Sequence, residues 1–210
     1  MSDTRLSVSL GELLASRVAS SPEKAFLESD QGSLTYKEIE ERSRWIAENL
    51  SAAGVRRGDS VATMVHKTDQ ALALWFACSR AGFVEVPLNV ELKDDLLVDA
   101  IKGADCSIIV VGDDPVAEQQ LELLQERLPP VFEIESLEEA GGASGCIDQP
   151  LRTDEVSLIL YTSGTTGRSK GVRLSERMTM RLAWSIIDHV DLNREDVLFT
   201  VFPLHHIAAR

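Results

Sequence analysis

Cysteine is scarce in this chain of 210 residues: Cys78, Cys106 and Cys146 stand far apart and are odd in number. That pattern argues against a disulfide framework and against a zinc site, and it suits a reducing compartment. Long apolar runs are missing as well. The longest, Ala71–Cys78, is eight residues, whereas a membrane-spanning helix needs about 20. The first ten residues are mixed and polar, without the basic-then-apolar character of an export leader. A protein without a transmembrane segment, in the cytoplasm, is the expectation. Basic charge is also short, with 21 Lys and Arg against 34 Asp and Glu and a formal net charge of −13. Nucleic-acid binders usually show the opposite balance, because phosphate contacts come from Lys and Arg, so no nucleic-acid partner is expected. Neither the G-x-x-x-x-G-K-[ST] nucleotide loop nor the G-x-G-x-x-G dinucleotide fingerprint occurs, and there is no internal repeat.

What is present is 44% hydrophobic content and an ordinary 26% of charged residues, enough for a sizeable core in one domain or two small ones. The charge is unevenly spread. Residues 1–150 hold 27 acidic and 13 basic side chains, and 151–210 hold 7 and 8. The acids are densest over Glu85–Glu139, with 15 against 3 bases. Solvated helix faces are the plain reading of that stretch; an acidic partner surface is the other.

Hydrophobic periodicity and turn residues divide the chain. Ala25–Ser29 and Ser33–Thr35 read as two short strands around a turn. Thr35 and Glu38 form a capping box, opening a helix with Ile39, Ser43, Ile46, Leu50 and Ala53 on one face and Gly54 as its stop. A turn at Arg57-Gly58-Asp59 precedes a buried strand, Ser60–Val65. A helix from Thr68 to Gly82, apolar nearly all round, leads to a strand over Phe83–Leu88. Further along come a helix at Lys93–Gly103, a strand at Cys106–Val111, an amphipathic helix at Asp114–Leu128 and a short strand at Val131–Glu135. A Gly- and Ser-rich loop runs from Glu139 to Thr153. Val156–Tyr161 is the next strand, Ser175 caps a helix to about Val190, and Val197–Val201 is a last strand. Strands alternating with helices predict an α/β fold with a largely parallel sheet and helices on both faces.

One segment carries chemistry: Tyr161-Thr-Ser-Gly-Thr-Thr-Gly-Arg-Ser-Lys-Gly171. It follows an apolar strand, where ligand sites of open α/β sheets lie. Gly164 and Gly167 allow close backbone approach to a ligand, and turns of this kind can aim successive amides at an anion. Thr162, Ser163, Thr165 and Thr166 add hydroxyl donors, and Lys170 adds a mobile point charge suited to phosphate. The segment reads as a phosphate-binding loop, with a flexible polar surface loop as the plainer alternative. Residues 168–181 carry net +4 through Arg168, Lys170, Arg173, Arg177 and Arg181. They are either a positive field for a polyanion or, for Arg177 and Arg181, solvent-facing helix residues.

This loop resembles the signature loop of the adenylate-forming (AMP-binding) enzymes, the superfamily of acyl-CoA synthetases, luciferases and peptide-synthetase adenylation domains. Four further elements resemble that family in the family's order: Leu34-Thr35-Tyr36-Lys37-Glu38-Ile39, Gly54–Ala62 (G-V-R-R-G-D-S-V-A), Ala81–Asn89 (A-G-F-V-E-V-P-L-N) and Pro203-Leu204-His205-His206-Ile207. The resemblance implies an enzyme that activates a carboxylic acid with ATP as an acyl-adenylate, releases pyrophosphate and passes the acyl group to a thiol, commonly coenzyme A. It implies that Thr162, Ser163, Gly164, Thr165, Thr166, Gly167 and Lys170 hold the ATP phosphates, that Thr162 helps to hold Mg2+, and that His206 lines the acyl pocket; a packed histidine is the other reading of His206.

Departures from the family pattern are Ser169 in place of the usual proline, which leaves the loop's second half looser, His205 in place of phenylalanine, and Ile207-Ala-Ala-Arg210 in place of a glycine-containing turn. The family's adenine and ribose contacts, metal-binding glutamate and C-terminal lid with its catalytic lysine lie downstream of these elements, so none of the catalytic residues is expected within 1–210. The chain is therefore expected to be the N-terminal part of such a ligase, inactive alone, with residues 1–153 a first subdomain and 154–210 the phosphate-loop segment and start of the next. Self-association through apolar surface left uncovered is a further expectation. The alternative is a short noncatalytic interaction module that keeps the fold and uses the acidic Glu85–Glu139 face.

Overall fold

The computed structural model describes residues 4–30, 32–139, 149–162 and 170–201. Its frame is a six-stranded sheet in the order β6-β5-β3-β4-β7-β8, built from β3 (Ser60–Met64), β4 (Val84–Pro87), β5 (Cys106–Val111), β6 (Val131–Glu133), β7 (Val156–Thr162) and β8 (Lys170–Ser175). Every pairing is parallel except the last, in which β8 runs antiparallel to β7. A separate antiparallel pair, β1 (Ala25–Ser29) and β2 (Gly32–Thr35), precedes it.

Successive side chains of the central strands point to opposite faces, and both faces are covered. Val61, Ile108 and Val110 pack on one side with residues of α1 (Leu10–Ser20), α2 (Tyr36–Ala52), α3 (Thr68–Ala81) and the short α6 (Ile134–Leu137). Ala62, Met64, Ile109 and Val111 pack on the other with α4 (Asp94–Gly103) and α5 (Pro115–Leu124). Strands buried on both faces read as continuous apolar runs, as parallel sheets require. The α/β architecture with helices on both faces is therefore observed.

Local chemistry explains the boundaries. Thr35 caps α2 through a reciprocal box: Glu38 N–H donates to Thr35 Oγ1 at 3.2 Å, and Thr35 N–H donates to Glu38 Oε2 at 2.7 Å. Those bonds hold the Glu38 carboxyl below its ordinary range. Gly82 ends α3 in the left-handed region at φ 71°, which an L side chain enters at a cost.

Several expectations need correction. α1 was not foreseen, although Ser9 and Glu12 form a second capping box at its start. The expected helix to Leu128 is α5 followed by a 3-10 turn, Gln125–Arg127. The strand expected to reach Glu135 gives way to α6, because Ile134 and Leu137 both bury against α2's side of the core. Residues 197–201 form no strand: Val197, Leu198, Phe199 and Val201 are 87%, 73%, 90% and 74% exposed, and among the described residues no strand pairs with them. A strand needs a partner for its backbone groups. Most carboxylates of the acidic stretch are exposed, as the plain reading expects, with three exceptions. Glu85 is buried on β4 and accepts from Thr63 Oγ1 at 3.1 Å, Asp114 caps α5, and Glu138 pairs with Arg42 at 2.5 Å.

Candidate phosphate-loop site

The site grows from the end of β7. This strand lies beside β4 in the sheet and delivers Thr162 as its last residue. The chain returns as β8, whose first residue is Lys170. No apolar run marks this return strand in the sequence, where Lys170 reads as part of the loop. The register pairs Thr162 with Lys170, Tyr161 with Gly171, Leu160 with Val172 and Ile159 with Arg173. The seven residues between Thr162 and Lys170 thus have both ends tied into one antiparallel ladder.

Facing residues of such a ladder share a face, with Cβ atoms about 5 Å apart. Thr162 and Lys170 therefore leave the ladder on one face at the base of the loop, and both residues are exposed. Tyr161, Gly171, Ile159 and Arg173 belong to the opposite face, where Ile159 and Tyr161 pack against the α4 and α5 side of the core. The Tyr161 hydroxyl donates to the Ala100 carbonyl of α4 at 2.7 Å. Burial pushes its phenol above the ordinary value, with the nearby Cys106 thiol adding to the effect and Arg173 opposing it. Cys106 itself is half-buried, and burial pushes its thiol up to about 12.

Among the described residues, the basic side chains of this stretch are not brought together. Arg173 is on the face opposite Lys170, in a groove with Lys102 and Asp99. Arg177 is tied back to Thr153, its backbone N–H donating to the Thr153 carbonyl at 2.8 Å. Arg181 lines a different groove with Arg5 and Trp184. Lys170 is the member of that group that the register sets beside Thr162. Ser163, Gly164, Thr165, Thr166 and Gly167, with Arg168, lie outside the described residues, as does His206.

Behind β8 the junction with α7 (Glu176–Val190) is fixed by a buried carboxylate. Glu176 accepts from Ser79 Oγ and from Leu10 N–H at 3.2 Å, while Gly11 N–H donates to Ser79 Oγ at 3.1 Å. Burial raises the Glu176 carboxyl above its ordinary value, and the Ser79 hydrogen bond opposes that rise. No sequence signal singled out this tie; only its position just after the Ser175 cap is legible.

Phosphate binding suits the pair at the mouth, a hydroxyl donor next to a mobile cation. For a metal the set is thinner. Among the described residues no group of three or more His, Cys, Asp or Glu side chains could hold one; the Mg2+ expectation names Thr162. Nor is any described helix long and apolar enough to cross a membrane.

The family model of the AMP-binding enzymes matches residues 14–210. The chain belongs to that family. Among curated relatives, the feruloyl-CoA synthase of an Amycolatopsis species is 33% identical over 205 residues, which is 95% of this chain and 40% of that protein. The indoleacetate–CoA ligase of Aromatoleum aromaticum is 28% identical across 94% of this chain and 41% of its own length. A crotonobetaine/carnitine–CoA ligase of Salmonella enteritidis is 26% identical across 82% and 36%. The chain thus spans about two fifths of the length of the first two of these AMP-binding relatives. Two solved structures share the fold: the o-succinylbenzoate CoA synthetase of Bacillus subtilis with its acyl-adenylate intermediate (TM-score 0.83, 23% identity, 95% of this chain and 50% of that one) and the inhibitor-bound N-terminal domain of FACL13 from Mycobacterium tuberculosis (TM-score 0.84, 22% identity, 96% and 52%).

Proposed function

We propose that this chain supplies the phosphate-binding part of a carboxylic acid:CoA ligase working with ATP in the cytoplasm, and that residues 1–210 alone do not complete the reaction. In the reaction proposed, the acid's carboxylate attacks the α-phosphorus of ATP. The bond to the β-phosphate oxygen breaks, and pyrophosphate leaves. The acyl-adenylate then yields its acyl group to the thiol of coenzyme A, releasing AMP.

The observation that supports this most is the Thr162–Lys170 pair closing the loop. Negative charge grows on the leaving pyrophosphate, so a fixed donor and a cation aimed there lower the barrier. Lys170 supplies the charge and Thr162 the hydroxyl, with the loop residues between them completing the cradle. Mg2+, when bound through Thr162 and ligands from elsewhere, would offset the same charge. Names of the relatives range from feruloyl to carnitine, so the carboxylate common to such acids is the group we take as reacting.

Titration calorimetry with ATP tests the reading. The 210-residue chain is expected to bind ATP weakly, and Lys170→Ala to weaken it at least about tenfold, in line with the loss of a charge-assisted contact. ATP affinity indifferent to Lys170→Ala would overturn the phosphate role. Pyrophosphate–ATP exchange by this chain at the rate of a complete ligase would overturn its dependence on further residues.

A further inference from the structure

We propose that Tyr161 is the positioning residue of the phosphate loop, holding the Thr162–Lys170 pair in register by locking the end of β7 to α4. The proposal rests on the phosphate reading of that pair and adds to it a residue that touches no phosphate.

The lock has three parts. First, the Tyr161 hydroxyl donates to the Ala100 carbonyl at 2.7 Å. That carbonyl also accepts the Ala104 N–H at 3.1 Å, and its second lone pair is left for the phenol. Second, the ring has a slot made by two glycines on separate elements. A Cβ on Gly103 would stand 3.1 Å from the Tyr161 hydroxyl, and one on Gly171 would stand 3.0 Å from Ile159 Cγ2 and 3.3 Å from Tyr161 Cζ. Both are tighter than most side-chain carbons come, so a side chain at either position would press on the ring or on Ile159 beside it. Third, Tyr161 is register partner to Gly171, one step before the last pair of the ladder.

The end of a ladder is where strands fray. Among the described residues the last pair is Thr162–Lys170. Side chains alternate across a strand, so pinning Tyr161 on the α4 face fixes the direction in which Thr162 projects from the other. The tyrosine thereby converts contact with a helix on one side of the sheet into a fixed donor geometry on the opposite side. It also explains why the glycine after the lysine belongs with the loop: Gly171 is the floor under the ring.

The test uses the whole 210-residue chain with inorganic pyrophosphate as the probe. Tyr161→Phe keeps the ring and removes the hydroxyl. It is expected to weaken pyrophosphate binding about three- to tenfold, the range one lost hydrogen bond commands, and to speed amide exchange at Thr162 and Lys170. Gly103→Ala, which crowds the hydroxyl from the other side, is expected to do the same. Leu124→Ala, which destabilises the core at α5 while leaving the stem intact, is expected to leave affinity unchanged in the folded chain. Binding by the unsubstituted chain with undiminished affinity in both Tyr161→Phe and Gly103→Ala would overturn the positioning role and spare the phosphate reading. Equal losses in Leu124→Ala would also overturn it, by showing that general loosening suffices. No pyrophosphate binding by the unsubstituted chain would overturn the phosphate reading and the proposal with it, and the exchange rates would still report whether the hydroxyl holds the stem.

Discussion

Substituting Gly82 should be among the most damaging single changes in this chain, and the structure says why. The residue ends α3 at φ 71° and sits where three segments cross. Its carbonyl accepts the Gly58 N–H at 2.7 Å, and the neighbouring Arg80 carbonyl accepts the Gln149 N–H at 3.0 Å. A Cβ there would lie 2.4 Å from the Gln149 carbonyl oxygen, 2.9 Å from Arg57 Cγ and 3.4 Å from the Leu151 nitrogen. The arginine carbon can swing aside, but the Gln149 carbonyl is backbone and must move as a segment. Left-handed backbone costs an L residue about 1–2 kcal/mol, and forcing packed groups apart adds about 1–3 kcal/mol. Gly82→Ala should therefore cost about 3 kcal/mol, a large share of the roughly 5–15 kcal/mol that holds a domain together. Gly54→Ala isolates the conformational part, since Gly54 has φ 97° and open space where its Cβ would go; about 1–2 kcal/mol is expected there. Urea unfolding followed by far-ultraviolet circular dichroism measures both. If Gly82→Ala costs no more than Gly54→Ala, the clash with the segment leading into β7 is not real and the reasoning fails.

Two further outcomes are expected of this fold. Burial raises the Glu176 carboxyl above its ordinary 4.5, so ionising it disfavours the folded state; its contribution is fully present below 4.5 and lost as pH rises through the raised value. The unfolding free energy of the unsubstituted chain should thus fall relative to that of Glu176→Gln as pH climbs above 4.5, and parallel profiles would refute this. Met178, Leu182, Ile186 and Val190 recur every four residues along α7 and are 57%, 42%, 51% and 56% exposed. With the exposed 197–201 segment they should drive concentration-dependent association in sedimentation velocity, which Ile186→Asp with Phe199→Ser should suppress; a monomer at every concentration would refute it.

Most of the frame was legible because its signals are local. Thr35 and Glu38 satisfy each other's backbone at the start of α2, Gly54 and Gly82 stand where the chain turns left-handed, and the Ser60–Met64 and Cys106–Val111 runs are apolar because both sheet faces are covered. The failures also share a cause. Residues 197–201 have the composition of a strand, but composition supplies only half of a pairing. Glu85 was counted with the solvated acids because its burial depends on Thr63 of a neighbouring strand, 22 positions away in sequence. β8 was overlooked because Lys170–Ser175 is mostly exposed, so it lacks the apolar run that marked the central strands.

The site shows the same division between composition and geometry. Thr162 and Lys170 could be chosen from residue type and from their place after a strand. Their opposition across a ladder could not, since it depends on the register of β8 against β7. The basic residues around the loop make the point in reverse. Five cations within residues 168–181 suggest one positive field, yet period-two alternation sends Arg173 to the face opposite Lys170, and the helix carries Arg177 back to Thr153. Charge counted along a sequence adds up only where the backbone period lets it. In this hairpin the register sets one lysine opposite one threonine, and the tyrosine before that threonine, beside two glycines, is the residue we propose holds that pairing.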